Sequence, residues 1–121
     1  MATSGTTTPS DLSPLCHIIT PVGMLGFGFR EDELISTLQS LTSSPAPRAL
    51  ILDSGSTDSG PQKLANGGST SPRSSYVRDL GKLLRAVKKF NVPLLIGSTG
   101  GGTNERVDMI SDIVRENANE L

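Results

Sequence analysis

The chain has 121 residues, and its 11 basic and 12 acidic side chains leave a net charge of −1. That length allows one domain, in which roughly 100 packable residues suffice for a small core. The charge is balanced without a basic stripe, and the chain has no Trp, one Tyr and three Phe. The chain therefore offers neither a basic surface that would attract phosphate groups nor the aromatic side chains on which bases usually stack. Both observations argue against nucleic acid and membrane surfaces as main partners.

The first 14 residues are rich in Thr, Ser and Pro. We expect them to be a disordered tail, with residues 15–121 forming a single α/β domain. The tail has neither the basic nor the apolar region of a secretory signal. No apolar run reaches the roughly 18 residues that span a bilayer. Cys16, the one cysteine, heads an apolar run, so we expect a buried thiol. These features together predict a cytoplasmic protein.

Three short apolar runs alternate with three segments whose apolar residues recur at the spacing of an α-helix. The runs at residues 16–20, 49–53 and 93–97 predict parallel strands, and helices are expected over 31–41, over 75–90 and from about Thr103. The inward-facing residues are predicted to be Leu34, Leu38, Leu41, Val77, Leu80, Leu83, Leu84, Val87, Phe90, Val107, Ile110, Ile113 and Val114. The basic residues Lys82, Arg85, Lys88 and Lys89 are assigned to a solvated helix face.

This alternation predicts a three-layer α/β fold, with a short parallel sheet, alternating helices and right-handed crossovers. Three strands make half of a doubly wound fold, and a helix tail without a further strand ends the sequence. We therefore expect a truncated domain with one open sheet edge. Such an edge favours marginal stability or association, either with further copies or with a longer homologue.

Two polar loops, DSGSTDSGP at residues 53–61 and GSTGGGTN at residues 97–104, follow the second and third strands. Ligands of open α/β sheets bind outside the carboxyl ends of the strands, so both loops are predicted to face a small anionic or polar metabolite. Glycines allow close backbone approach, and a helix N-terminus attracts anions. The ligand-binding candidates are Gly23, Gly26, Ser54, Ser56, Thr57, Ser98, Thr99, Gly100, Gly101, Gly102 and Thr103. The alternative is that the glycines only form tight turns.

Asp53 and Asp58 are the candidate catalytic residues. Carboxylates at strand ends can serve as acid and base or bind Mg²⁺, although Asp58 also suits an ordinary turn. His17, the one histidine, lies near the start of a strand and roughly 10 Å from the carboxyl edge. We therefore expect His17 to be structural. With Cys16 it forms no zinc ligand set, so no metal ligand or cofactor is assigned.

A nucleotide-binding, Rossmann-like fragment is a further alternative. Gly23, Gly26 and Gly28 have the reverse of the dinucleotide-binding spacing, which displaces the glycine that must pack the helix on its strand. Asp53 also lies beyond the roughly 20 residues at which a ribose-binding acid is expected. A P-loop is excluded because no Gly-Lys-Ser/Thr sequence follows the glycines.

The strings PVGMLGFGF at 21–29, DSGSTDSGP at 53–61, RDL at 78–80 with LL at 83–84, and PLLIGS at 93–98 carry a family resemblance. The chain resembles the N-terminal part of the acyclic terpene utilisation (AtuA-like) family over about Ile18 to Arg115. Its members are longer. The resemblance implies an α/β domain that continues, and an association with catabolism of branched acyclic compounds. The matched motif positions are Gly23, Gly26, Asp53, Ser56, Asp58, Gly97 and Gly100.

Two functions follow from these patterns. The first is a ligand-binding domain derived from an enzyme, whose site is completed by another domain. The alternative is a non-catalytic truncated paralogue, an interaction or regulatory module that associates with a longer homologue. Both loops favour the first function, whereas the lack of a complete set of acid, base and nucleophile favours the second. Whether the chain is an enzyme is left open.

The glycine-rich loop gives a direct test of anion binding. Gly100→Val should abolish phosphate binding and leave the core unchanged, because a side chain there prevents close backbone approach. Calorimetric titration of phosphate into wild type and variant measures the effect. Equal heats in both proteins would mean that the loop is only a turn.

Overall fold

A computed structural model of the protein describes residues 13–54, 72–97 and 104–119, with the backbone alone for 104–106. Three strands alternate with three helices, at bounds close to those predicted. They are β1 (His17–Ile19), α1 (Glu31–Ser40), β2 (Arg48–Asp53), α2 (Arg73–Phe90), β3 (Leu94–Gly97) and α3 (Asn104–Ala118). Residues 1–12 of the predicted tail lie outside the described residues. None of the described helices is long and apolar enough to cross a membrane.

The three strands form one parallel sheet with β2 in the centre, in the order β1-β2-β3. Ile18 is paired with Ala49, and Leu50 is paired with Leu94. The predicted α/β class and parallel pairing are therefore confirmed. Because the strands are parallel, their carboxyl ends lie at one edge of the sheet, and the loop after β1 lies beside Asp53 and Gly97.

One hydrophobic core lies between the sheet and all three helices. Its buried residues are Leu25, Leu34, Leu38, Leu50, Leu52, Tyr76, Leu80, Leu83, Ala86, Val92 and Ile113. Strand side chains alternate between the two faces of a sheet, and Ile19, Leu94 and Ile96 pack against this core. The described helices thus share one sheet face, so the described residues form two of the three predicted layers.

The long helix α2 ends for a local reason. Asn91 adopts the left-handed conformation, with φ 52° and ψ 54°, which Asn tolerates better than most residues. Its backbone N–H donates to the Val87 carbonyl at 2.8 Å. Lys88 and Lys89 lie in the last turn, where positive charge complements the helix dipole. The chain can therefore turn sharply into Val92 and β3.

Two residues expected to be buried are exposed. Cys16 is exposed because it precedes an edge strand, beyond the reach of the helices. Val107 is 52% exposed although it was predicted to face inward. At 3.6 residues per turn it lies about 120° around α3 from the fully buried Ile113. Its side chain therefore lies outside the inward stripe.

Two basic residues of α2 contact the elements around α1, whereas they were predicted to be merely solvated. Arg85 donates two hydrogen bonds to the Glu31 carboxylate, at 2.7 and 2.9 Å. Lys82 donates to the Phe29 carbonyl at 2.6 Å, and its ammonium lies 5.0 Å from the centre of the Phe29 ring. Lys82 is half-buried. These contacts hold the start of α1 against α2.

The Glu31–Arg85 pair gives a pH test. The hydrogen bond from Arg85 lowers the pKa of Glu31, so its contribution to stability is present at neutral pH and is lost as the pH falls through that lowered pKa. Glu31→Gln should reduce the free energy of unfolding by about 0.5 kcal/mol at pH 7, since the pair is partly exposed. Urea unfolding at pH 7 and at pH 3 measures the difference, which should be smaller at pH 3.

Glu33→Gln is the matched control, because Glu33 also lies in the first turn of α1 but pairs with Arg30 instead of α2. Glu33→Gln should change the free energy of unfolding only through the lost interaction with the helix dipole, because Glu33 does not connect α1 to α2. A Glu31→Gln loss of equal size at both pH values would contradict the assignment.

Candidate functional site

The carboxyl edge of the sheet is joined by backbone hydrogen bonds across the strands. Met24, in the loop between β1 and α1, forms an isolated parallel bridge with Asp53. The Leu25 N–H donates to the Asp53 carbonyl at 2.8 Å, and the Ser54 N–H donates to the Gly97 carbonyl at 2.6 Å. The loop after β1 and the ends of β2 and β3 therefore form one connected edge.

A buried carboxylate fixes the loop after β1. Asp79, on α2, is 0% exposed. Its Oδ2 accepts hydrogen bonds from the N–H groups of Gly26 at 2.8 Å and Gly28 at 3.0 Å. Arg78 donates from Nε to Asp79 Oδ1 at 2.9 Å and from Nη2 to the Gly26 carbonyl at 3.0 Å. Both carboxylate oxygens are thus paired, as a buried charge requires.

The glycines of this edge differ in their structural requirements. Gly26 and Gly28 have positive φ angles of 104° and 86°, a conformation that L side chains rarely adopt. A Cβ at Gly28 would also lie 3.3 Å from Arg78 Nη2. Gly23 and Gly97 instead have open space where a Cβ would stand. Gly26 is therefore needed for the conformation of the loop. The sequence suggested that it contacts a ligand, and in the structure its N–H donates to Asp79.

A shallow groove of about 480 Å³ lies where the carboxyl edge meets the sheet face opposite the helices. Its lining residues are Thr20, Val22, Gly23, Ile51, Leu52, Asp53 and Gly97. The groove brings together two predicted site residues, Asp53 and Gly23, with the motif position Gly97. Asp53 is its one ionisable lining residue among the described residues. Chemically, the groove offers a carboxylate, one hydroxyl and open space beside two glycines.

Ser54 lies on the other side of the sheet from this groove. It continues the inward alternation of Leu50 and Leu52 and is 0% exposed. Its Oγ has no hydrogen-bond partner among the described residues, a condition that costs about 1 to 3 kcal/mol. Adjacent residues of a strand point to opposite faces, so Ser54 and Asp53 do not converge on one ligand.

The remaining predicted site residues lie outside the described part of the chain. They are Ser56, Thr57, Asp58, Ser98, Thr99, Gly100, Gly101, Gly102 and Thr103. Predictions for them stay predictions. His17 lies at the opposite, amino end of the sheet, where its Nε2 is 2.9 Å from Ser44 Oγ. Within residues 13–54, 72–97 and 104–119, no three His, Cys, Asp or Glu side chains form a group that could hold a metal ion.

Asp79 and Arg78 were not among the residues singled out from the sequence as functional. A signal was present, because Asp79 lies three residues after Tyr76 and four before Leu83, at the spacing of one helix face. Both neighbours are fully buried. A carboxylate on an apolar stripe requires donors inside the protein. The glycine-rich loop after β1 provides them through its N–H groups.

The chain was compared with protein families, with curated proteins and with solved structures. No family model, curated protein or solved structure matches it. The chemistry of the carboxyl edge is therefore inferred from its own residues, and chiefly from the position of Asp53 in the groove.

Replacing Asp79 tests whether it holds the carboxyl edge. Asp79→Asn should lower the free energy of unfolding by about 2 to 3 kcal/mol, because the amide accepts through only one oxygen and leaves either the Arg78 Nε–H or the glycine N–H groups without an acceptor. Urea unfolding measures this loss, and amide hydrogen exchange should increase at Gly26 and Gly28. Asp112→Asn is the control, since Asp112 is exposed and pairs with Arg115 within α3. Equal small losses in both variants would contradict the role of Asp79.

Proposed function

We propose that the carboxyl edge of the sheet binds a small polar metabolite through Asp53. The observation that supports this most is the groove lined by Asp53, Gly23, Gly97 and Thr20. It lies beyond the end of the central strand, where open α/β sheets bind their ligands. The loop that carries Gly23 is joined to Asp53 through Met24 and the Leu25 N–H, and Asp79 holds the same loop at Gly26 and Gly28. These bonds favour a groove that is preorganised before binding.

The charge of the groove narrows the ligand class. A carboxylate accepts hydrogen bonds from hydroxyl groups and repels a bare anion at the same position. We therefore propose a ligand with a hydroxyl group at Asp53, whose anionic group, where it has one, lies toward Gly97 at the end of β3. A hydroxylated carboxylic acid or a sugar phosphate fits this description.

The resemblance to the acyclic terpene utilisation family adds a metabolic context. It supports a ligand from the catabolism of branched acyclic compounds, for which a branched hydroxy acid has both the apolar carbons and the polar groups. Val22, Ile51 and Leu52 line the same groove as Asp53 and would contact such carbons. Binding is the activity proposed, because Asp53 is the one ionisable residue that lines the groove among the described residues.

Asp53→Asn distinguishes a hydroxyl ligand from a simple anion. Binding of 3-hydroxyisovaleric acid should weaken roughly 10- to 100-fold, since a hydrogen bond to a charged acceptor contributes about 1.5 to 3 kcal/mol. Binding of inorganic phosphate should not weaken, because the substitution removes a repelling charge. Ligand-observed NMR titration of both probes measures the two affinities.

Asp112→Asn, a substitution of the same chemistry on the exposed face of α3, controls for the change in net charge. It should leave both affinities unchanged. The proposal fails if the hydroxy acid binds wild type and Asp53→Asn equally well, or if it binds neither protein at millimolar concentration.

A further inference from the structure

Gly97 lies directly beside Asp53 in the sheet. The two residues are partners in the parallel ladder of β2 and β3, and adjacent strands are about 4.8 Å apart. Both residues line the groove. Residues paired across two strands present their Cβ positions on the same face of the sheet. A Cβ on residue 97 would therefore point into the groove, next to the Asp53 side chain.

The described fold does not require a glycine at residue 97. Gly97 is part of β3, and it is not among the described glycines with positive φ. A Cβ there would meet no atom within 4 Å. By contrast, a Cβ at Gly28 would lie 3.3 Å from Arg78 Nη2, and one at Gly81 would lie 3.4 Å from Arg85 Nη1. Neither backbone conformation nor packing therefore explains the glycine in β3.

A glycine that the fold does not need still weakens a strand, because it loses more conformational entropy on folding and has no side chain to pack. Such a glycine is typical of positions where a ligand approaches the backbone closely. Gly23, which also lines the groove, has the same open space. We propose that Gly97 is a specificity-determining residue, and that the ligand bound at Asp53 passes over the end of β3 in contact with the Gly97 Cα.

This inference rests on the proposed binding of a hydroxylated ligand at Asp53, and it defines the part of the ligand that Gly97 selects. The Gly97 carbonyl already accepts the Ser54 N–H at 2.6 Å. The contact with Gly97 is therefore one of shape, through the Cα, and it limits the bulk of the arm that carries the anionic group of the ligand. A 3-hydroxy acid has a slender arm of this kind, with one methylene group between the hydroxyl-bearing carbon and the carboxylate.

Gly97→Ala and Gly97→Val in the full chain test the proposal, because they should change stability and binding in opposite directions. The urea midpoint should stay the same or rise, since both side chains suit an extended backbone with open space beside it. The affinity for 3-hydroxyisovaleric acid should fall at least about tenfold in Gly97→Ala and further in Gly97→Val, since the added carbons occupy the space of the ligand. Ligand-observed NMR titration measures the affinities, and circular dichroism establishes that each variant is folded.

Two controls separate a ligand effect from a structural one. Gly28→Ala should lower the urea midpoint, because φ at Gly28 is 86° and a Cβ there would lie 3.3 Å from Arg78 Nη2. Ala49→Val adds carbon atoms to the sheet face that carries the groove. Ala49 does not line the groove, and it lies four residues before Asp53 in β2, about 13 Å away along the strand. Ala49→Val should therefore leave the affinity unchanged.

Three results would overturn the role of Gly97. The first is an unchanged affinity in Gly97→Ala together with a loss in Asp53→Asn, which would leave the proposed function intact. The second is a fall of the urea midpoint in Gly97→Ala as large as in Gly28→Ala, which would mean that the fold itself requires the glycine. The third is the absence of binding to wild type at millimolar concentration, which would contradict the proposed function as well.

Discussion

The carboxylate of Asp79 is the interaction on which the geometry of the carboxyl edge depends. It lies fully buried on α2 and accepts hydrogen bonds from two backbone N–H groups of the loop after β1. Removing a charge from water is costly unless donors replace the water, and here the loop and Arg78 do so. The same hydrogen bonds that stabilise the charge hold Gly26 and Gly28 in place. Helix packing and site geometry are thus coupled through one side chain.

Because side chains alternate between the two faces of a sheet, the neighbouring residues Asp53 and Ser54 lie in different environments. Asp53 faces the groove with Gly23 and Gly97, whereas Ser54 is enclosed on the helix side. Because the described helices pack on the face that encloses Ser54, no described helix covers the groove.

The candidate site could be predicted from the sequence only in part. Asp53 follows an apolar strand, so its place at the carboxyl edge was correctly expected, and Gly23 joins it in the groove. Ser54 was expected to contact the same ligand, but the two-residue alternation of a strand turns it inward. Gly26 was expected to contact a ligand, but its N–H donates to Asp79. That contact joins residues 53 positions apart, and no local pattern contains it.

Local periodicity in the sequence determined the strands, the helices and their parallel pairing, because apolar spacing follows backbone geometry directly. The sequence alone also placed Asp53 at the end of the central strand. Only the tertiary structure decided which face of the sheet the helices cover, because an amphipathic helix can pack its apolar side against either face. It also decided that Cys16 and Val107 are exposed. Burial depends on what packs above a residue, and that is a property of contacts between distant segments.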